Sequence, residues 1–461
     1  MKNKTKRVFW GFFSLDYKAM GEYLEEMAEK GWMVEKVGRY TAKFRAIEPQ
    51  KIKFYVDVFK EGGPLTPEKT ESSEEYRRLC QESGWTFITS LDYLQFFYAA
   101  GDSEPVLIQT DEEIEQKIVE NTLLKNELRG VLIFAIFAVF ILVRNIPIKY
   151  TNLLNFTGVT STFLFPVLCI FTAIPAVYSL IWMVKARRNI KNGLSITKPT
   201  LKSARRRIIA FYGSTWIIVL FYTLSFIIDA FFMPGIVVYV LLGPGIGIIF
   251  GSSIRYLVKK NKISKDSVLN YIVVGTIILV IFMQVAGPSI LEKNEEIYKV
   301  DSVPEGYPII TLKEISKEIS QRGVLSREFR QSMSPFVHKH YTYYEYENLG
   351  NSSKSIRIKY YEAINSYFAD IIFNGITEKL EKGMKWRGMT IFTKNIITDD
   401  EMRKLWDMDN LALTEERNEI IIQKGNKVLH VDNYAGVMDF NDIETRELII
   451  SRFFSGSTVE N

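Results

Sequence analysis

The middle of the chain, from Gly130 to Leu291, consists mostly of long runs without charged residues, and this feature limits the possible folds most. The regions before and after it are polar, charged and aromatic, as in globular domains. A helix needs about 20 apolar residues to cross a bilayer, and the middle region can be divided into five such segments. The sequence therefore predicts a multi-pass α-helical membrane protein with about five spans, near residues 128–148, 152–184, 208–228, 234–254 and 268–288.

The loops between these segments set the expected orientation. Residues 185–207 carry nine basic side chains and no acidic one, and residues 255–265 carry five more. Because cationic loops stay in the cytoplasm, we expect a cytoplasmic N terminus and an extracytoplasmic C terminus at the cell membrane. The first segment is bounded by Arg129 and Arg144, and without this span the N-terminal domain would lie outside.

These predictions divide the chain into four parts. In chain order they are a cytoplasmic α+β domain (1–109), an amphipathic linker helix (110–129), the five-span region (130–291) and an extracytoplasmic α+β domain (292–461). The linker opens with Thr110 and has Glu113 three residues later, which is the pattern of a capping box. We expect it to continue into the first span and to couple the cytoplasmic domain to the membrane.

Within the first part, the stretches YLEEMAEKGWMV and YRRLCQESGWTF spell the same helix end twice, 53 residues apart. Strand-like segments flank each copy, so the repeat predicts a duplicated βαββ unit whose two helices cover one face of a shared sheet. Five positions match at this offset: Tyr23 with Tyr76, Gly31 with Gly84, Trp32 with Trp85, Tyr40 with Tyr93, and Phe44 with Phe97.

We interpret the repeated Gly-Trp pair as a helix stop and not as a binding site. Glycine accepts positive φ just after a helix, and an apolar residue that follows it commonly packs against the last turn. We therefore expect Trp32 and Trp85 to be structural, each contributing about 3 kcal/mol or more to the stability of the domain.

Candidates for metal or phosphate binding are few. His338 and His340 alternate on a predicted strand and could begin a metal site with His430, but we interpret them as part of an amphipathic strand. The segment GPGIGIIFG lacks the Lys and Ser/Thr of a phosphate-binding loop. We interpret its glycines as a helix-packing face, formed by Gly243, Gly247 and Gly251, and we predict neither a metal nor a cofactor.

The sequence also predicts a protein that is not an enzyme. No GxSxG, HExxH or Walker pattern is present, and all three histidines lie beyond residue 337. The basic residues flank the predicted spans and do not cover a folded face, so we expect the lipid bilayer, and no nucleic acid, as a partner. We interpret the basic loops as determinants of topology, with contact to anionic lipids as the alternative.

The region from Arg7 to about Ala100, with a helix ending in LEEMAEKGW and an aromatic strand ending at Glu48-Pro49, resembles the bacterial family catalogued as domain of unknown function 2812. The resemblance implies a membrane protein of a Gram-positive bacterium with this domain in the cytoplasm. It also implies a regulatory circuit, because genes of this family often lie beside those of PadR-type repressors. It implies no activity and no catalytic residue.

The leading functional hypothesis is a non-enzymatic membrane sensor or regulatory protein that couples an envelope or membrane signal to a cytoplasmic protein partner. Folded domains on both sides of the predicted spans motivate it. Two alternatives stay open. One is a transporter or a transporter-associated subunit, which the prolines and glycines of the second and fourth segments favour. The other is an envelope-assembly factor that acts through residues 292–461.

Overall fold

The chain divides into two compact units. The N-terminal unit comprises Met1–Leu142, Pro166–Leu220 and Gly243–Ile281, and the C-terminal unit comprises Val143–Phe165, Phe221–Leu242 and Phe282–Asn461. Both units therefore include parts of the segment 130–291. The computed structural model describes residues 4–99, 105–106, 111–124, 148–196, 198–232, 234–260, 298–315, 324–348, 353–386, 389–391, 393–434 and 437–455, with single positions in 136–146 and 267–278.

The N-terminal unit begins with two copies of one arrangement. The first copy contains β1 (Thr5–Phe9), α1 (Tyr17–Glu29), β2 (Trp32–Val37) and β3 (Thr41–Ala46), and the second contains β4 (Lys53–Val58), α2 (Glu71–Glu82), β5 (Thr86–Leu91) and β6 (Leu94–Ala99). Each copy forms its own antiparallel sheet, in the orders β1-β3-β2 and β4-β6-β5. The expectation of one shared sheet is wrong, because the described strands of each copy pair only with strands of the same copy.

The two copies also share a local irregularity of the backbone. The register between β2 and β3 shifts between Val34 and Lys36, and the register between β5 and β6 shifts between Phe87 and Thr89. These positions are equivalent at the offset of 53 residues. A β-bulge bends and twists the strand that carries it, so both hairpins are twisted at the same point.

Both helix stops contain a glycine in the left-handed region, with φ of 79° at Gly31 and 88° at Gly84. After Gly84, the backbone N–H of Trp85 donates to the carbonyl of Cys80 at 2.9 Å, which closes the last helical turn. The indole of Trp85 is 4% exposed and donates to the carbonyl of Val106 at 2.9 Å. Trp32 is only partly buried and lies beneath the ammonium group of Lys6.

Among the described residues between the duplicated domain and residue 260, four α-helices are present. They are α3 (Glu112–Val119), α4 (Phe156–Lys191), α5 (Leu201–Phe232) and α6 (Pro234–Lys259). The cap of α3 is Asp111, whose carboxylate accepts the N–H groups of Glu113 and Ile114 at 2.8 and 3.2 Å. The predicted cap, Thr110, lies outside the described residues.

The prediction of a five-span membrane protein is wrong. Among the described residues, one helix, α5, has the length and apolar composition needed to cross a membrane, and much of the chain folds as β-sheet. The prediction treats every long apolar run as a membrane span, although an apolar run alone does not distinguish a membrane span from another buried helix. The predicted second and fourth segments belong to α4 and α6. The first and fifth, 128–148 and 268–288, lie largely outside the described residues.

The C-terminal unit contains a seven-stranded antiparallel sheet in the order β12-β13-β14-β15-β9-β8-β7. Its strands are β7 (Val324–Ser332), β8 (Val337–Asn348), β9 (Ser353–Ala363), β12 (Ile396–Ile397), β13 (Asn410–Thr414), β14 (Glu419–Lys424) and β15 (Lys427–Tyr434), and β10 (Met384–Trp386) pairs separately with β11 (Met389–Ile391). Its helices are α7 (Leu312–Ile315), α8 (Ser366–Lys382), α9 (Asp400–Leu405) and α10 (Ile443–Ile449).

Both faces of this sheet are buried at β14. Ile372 and Phe373 of α8 pack on one face around Ile421, and Trp406 and Phe440 pack on the other. Because strands alternate their side chains between faces, the apolar run of β14 supplies both cores. β14 and β15 form a hairpin that turns at Gly425-Asn426, with Lys424 paired to Lys427 and φ of 58° at Gly425.

A buried ion cluster lies in the same sheet. His430 Nε2 is 2.8 Å from Glu419 Oε2, and Lys394 donates to the other carboxylate oxygen of Glu419. Burial raises the pKa of Glu419, but the hydrogen bonds and charges of His430 and Lys394 outweigh it and bring the pKa to about 2. His430 is therefore paired with a carboxylate in the interior of the sheet.

We expect Trp85→Ala to lower the free energy of unfolding of the duplicated domain by about 3–5 kcal/mol. Trp32→Ala should lower it by less than half as much, because its ring is already partly exposed. Native-state hydrogen exchange of the β6 amides in the full-length chain measures both values. Equal losses for the two variants would contradict the unequal burial.

A second prediction concerns the acid stability of the C-terminal unit. The pKa of Glu419 is lowered in the folded state, so its contribution is present above about pH 4.5 and disappears as the pH falls toward 2. Glu419→Gln should therefore destabilise the unit by up to about 3 kcal/mol at neutral pH, and the difference should vanish near pH 2. Thermal unfolding of both proteins across this range tests it, and a pH-independent difference would contradict the assigned pKa.

Candidate functional site

One side of α1 and of the turn before it is directed at the start of α5. Its residues recur at spacings of three or four, so they share one side of the helix. We call them the docking face: Asp16, Ala19, Glu22, Tyr23 and Glu26. Three of the five carry a carboxylate, whereas the first turns of α5 carry Lys202 and three arginines. The two surfaces therefore have opposite charge.

The apolar part of the docking face is closely packed. Ala19 is completely buried with Leu201 and Ala204 of α5, and Tyr23 packs at the edge of this group. The small alanine side chains allow the two helices to approach closely. Beside them, Glu22 Oε2 accepts the backbone N–H of Leu201 at 3.0 Å, which satisfies one of the unpaired N–H groups at the start of α5.

Ion pairs surround this apolar contact. Arg205 is 2.6 Å from Glu26 at the exposed rim. Arg207 donates to Asp16, whose side chain is completely buried, and the Arg207 guanidinium also lies 4.1 Å from the centroid of the Tyr178 ring of α4. The pair thus joins the duplicated domain to two helices at once.

The electrostatics of Asp16 are balanced between two effects. Burial raises the pKa of this carboxyl above its ordinary value, while the charge and hydrogen bond of Arg207 and the backbone N–H of Phe13 act in the opposite direction. A buried carboxylate is tolerated only where it is paired and hydrogen-bonded. Removing either partner would therefore leave an uncompensated charge in the contact.

The basic ends of the other two helices make similar contacts. Arg187 of α4 is 2.7 Å from Glu120, and Arg255 of α6 is 2.5 Å from Asp92. The basic segments interpreted as topology determinants thus also hold the duplicated domain. The sequence contains one signal for this contact, an acidic stripe in α1 together with an arginine cluster in α5.

A further polar contact links α1 to α3. The hydroxyl of Tyr17 donates to Glu115 at 2.7 Å, and the ammonium group of Lys18 lies 2.8 Å from the same carboxylate. Burial raises the pKa of Glu115, but Lys18 and Tyr17 outweigh this effect and lower it. The linker helix is therefore fixed to the domain by a buried acid.

The residues singled out by the repeat have different roles. Phe44 and Phe97 are completely buried in the cores of the two copies. Tyr76 donates its hydroxyl to Asp57, whereas its equivalent Tyr23 faces α5. Gly31, Trp32, Gly84 and Trp85 form the two helix stops, and Tyr40 and Tyr93 lie in the two hairpin turns, where both line one cavity.

Gly243, Gly247 and Gly251 all lie in α6. The surroundings of Gly251 are open, with no atom within 4 Å of an added Cβ, and the surroundings of Gly243 and Gly247 lie outside the described residues. The packing face therefore stays a prediction. In the described parts of the chain, no three potential metal-ligating side chains come together.

Comparison with known proteins identifies the duplicated domain. Residues 16–131 match the family model described as "Protein of unknown function (DUF2812)". Neither a curated protein nor a solved structure matches the chain. The matched region holds α1 with its docking face, the second copy of the repeat and α3. The resemblance read from the sequence is confirmed, and this region, about a quarter of the chain, is a domain of that family.

Proposed function

We propose that the protein is a non-enzymatic, membrane-associated regulatory protein in which α5 enters the bilayer and the duplicated domain responds to α5 through the docking face. The observation that carries this proposal is the buried Asp16–Arg207 pair, which lies at the border between the basic and the apolar part of α5. A change in the position of α5 would act first on this pair.

The exposure of α5 supports the membrane part of the proposal. Beyond Arg207 the helix exposes large apolar side chains, with Ile209 72%, Trp216 66% and Phe231 82% exposed. Large contiguous apolar surfaces of this kind mark membrane or protein contacts. The three arginines at the start of the helix favour the cytoplasmic side, so we propose a cytoplasmic N terminus and an extracytoplasmic C terminus.

The regulatory part rests on the cost of separating charges. Removing one partner of a buried ion pair leaves an uncompensated charge and destabilises a contact by about 3–5 kcal/mol, so two arrangements are stable: docked with both partners paired, or undocked with both partners in water. A coupling between two sites needs two such discrete states. The docking face meets this requirement, since its apolar centre and its ion pairs must separate together.

The chemistry of the C-terminal unit supports a role without catalysis. Ser332 lies 2.7 Å from His340 Nδ1, which resembles a nucleophile and its base. However, the serine hydroxyl donates its proton to the carbonyl of Leu154 at 2.9 Å, so the histidine must donate and cannot accept. Burial also lowers the pKa of His340 to about 4. The pair therefore fixes a strand end.

A protein partner in the cytoplasm fits the second copy of the repeat. The positions on α2 equivalent to the docking face include Glu75 and Leu79, and Leu79 is 55% exposed. Because α1 and α2 are equivalent helices, one copy contacts α5 and the other offers the same side to a partner. A PadR-type regulator is a candidate by family resemblance.

We expect Arg207→Gln to increase hydrogen exchange in α1 of the full-length protein, because Asp16 would lose its buried partner. The fall in protection should be equivalent to about 3 kcal/mol or more. Arg206→Gln is the matched control: it removes the same charge from the adjacent, exposed position and should leave α1 unchanged. Equal exchange in both variants would rule out the docking role.

The membrane role has a separate test. The full-length protein should remain in the membrane fraction after an alkaline carbonate wash. Ile217→Lys combined with Leu220→Lys should release it, because each lysine in a membrane segment costs about 3 kcal/mol. Two lysines on exposed α2 positions, Gln81→Lys and Glu82→Lys, serve as control. Release of the wild-type protein by the wash would refute this part of the proposal.

A further inference from the structure

A cavity of about 260 Å³ lies in the N-terminal unit where the two copies of the repeat approach each other. Arg39 and Tyr40, in the turn between β2 and β3, line it together with Asp92 and Tyr93, in the turn between β5 and β6. These are equivalent positions at the offset of 53 residues. Tyr212 of α5 also contributes to the lining, so the cavity touches both copies and the helix.

Matching hydrogen bonds fix the two turns. The carbonyl of Tyr40 accepts the backbone N–H of Trp10 at 2.9 Å, and the carbonyl of Tyr93 accepts that of Phe59 at 2.7 Å. Each bond ties a turn to the segment after the first strand of its own copy. The backbone that carries the two tyrosines is therefore fixed before any ligand arrives, and small-molecule sites are usually largely pre-formed.

The charged residues of the lining differ between the copies. Asp92 has a positive φ of 54°, an uncommon conformation for a residue other than glycine. Its carboxylate is already neutralised from α6, with Arg255 2.5 Å and Lys259 3.8 Å from Oδ1. The acid of the cavity thus serves to hold α6, and it leaves no negative charge for a cationic ligand.

Arg39 has N–H donors that a ligand could bind. Within the part of the chain that the structure describes, it makes one ion-pair contact, to Asp92 Oδ2 at 3.9 Å, and its side chain is 55% exposed. A guanidinium carries five N–H donors in a fork that matches both oxygens of a carboxylate. Arg39 and the exposed Tyr40 therefore place a free anion-binding group at the mouth of an aromatic cavity.

We infer that this cavity binds a small apolar carboxylate, with its apolar body between the aromatic side chains and its carboxylate on Arg39. At a share of about 30 Å³ per water-sized group, the volume accommodates a ligand of about nine such groups. Linear or ring-containing monocarboxylates of this size fit both the volume and the guanidinium group of Arg39.

The effect of the ligand on docking rests on the proposed function. A ligand in the cavity would contact Tyr212 of α5 and lie beside Asp92, which holds α6 through Arg255. Binding would thus favour the arrangement in which the domain is docked on these helices. The binding itself depends on the cavity and on Arg39 alone.

Octanoate is the probe, and 1-octanol is the matched ligand without the carboxylate. Binding to the full-length protein in nanodiscs is followed by saturation-transfer NMR, with empty nanodiscs subtracted. We expect octanoate to bind at least tenfold more tightly than 1-octanol. Arg39→Gln should weaken octanoate about tenfold and leave 1-octanol unchanged. Arg45→Gln, an exposed arginine on β3 of the same copy, should change neither.

Equal binding of octanoate and 1-octanol to the wild-type protein would overturn the inference. Equal octanoate binding by wild type and Arg39→Gln would overturn it as well, and hydrogen exchange of β6 confirms that the variant is folded. The two proposals fail separately. If octanoate binding depends on Arg39 while Arg207→Gln leaves hydrogen exchange in α1 unchanged, the binding site is supported and the docking role is refuted. If Arg207→Gln increases exchange in α1 while octanoate binding does not depend on Arg39, the docking role is supported and the binding site is refuted.

Discussion

The buried ion pair between Asp16 and Arg207 is the interaction on which the arrangement of the N-terminal unit depends. Its carboxylate is completely buried, and such a charge is stable in a protein interior only with a partner in place. Asp16 lies at the start of α1, so the pair fixes the beginning of the docking face. The Tyr178 ring covers the guanidinium on its other side. The remaining contacts, from Ala19 to Glu26, follow along one side of the helix.

Duplication supplies two equivalent helices, and the chain uses them differently. The docking side of α1 contacts α5, whereas Leu79 at an equivalent position of α2 is exposed. The same divergence occurs in the hairpin turns, where one copy has Arg39 and the other has Asp92. Asp92 holds α6 and Arg39 faces the cavity. One repeated arrangement of strands and helices thus carries one contact to the helices, one open helix face and one asymmetric cavity.

Local backbone features could be predicted well from the sequence. Positive φ at Gly31 and Gly84 follows from the position of glycine after a helix, and the Gly425-Asn426 hairpin follows from its turn residues. These features depend on a few neighbouring residues. The unequal roles of Trp32 and Trp85 could not be predicted, because burial depends on distant segments such as the one containing Val106.

The wrong predictions concern contacts between segments that are far apart in the sequence. Hydropathy marks apolar runs but does not specify what each run contacts, and the five-span prediction failed for this reason. The prediction of a shared sheet is wrong because the residue pattern within one copy does not indicate which strand edges pair with the other copy. The docking face was missed because the acids of α1 and the arginines of α5 lie about 180 residues apart, as Glu26 and Arg205 do. Only their opposite charge links them in the sequence.

Disulfide crosslinking in native membranes tests the central claim, that α1 is docked on the first turns of α5. Ala19 and Ala204 are both completely buried in this contact, whereas Ala210 is exposed and lies about 9 Å farther along the helix. Mild oxidation should link Ala19→Cys to Ala204→Cys in the full-length chain, and should not link Ala19→Cys to Ala210→Cys. Absence of the first crosslink, or equal yields for both pairs, would contradict the docked arrangement.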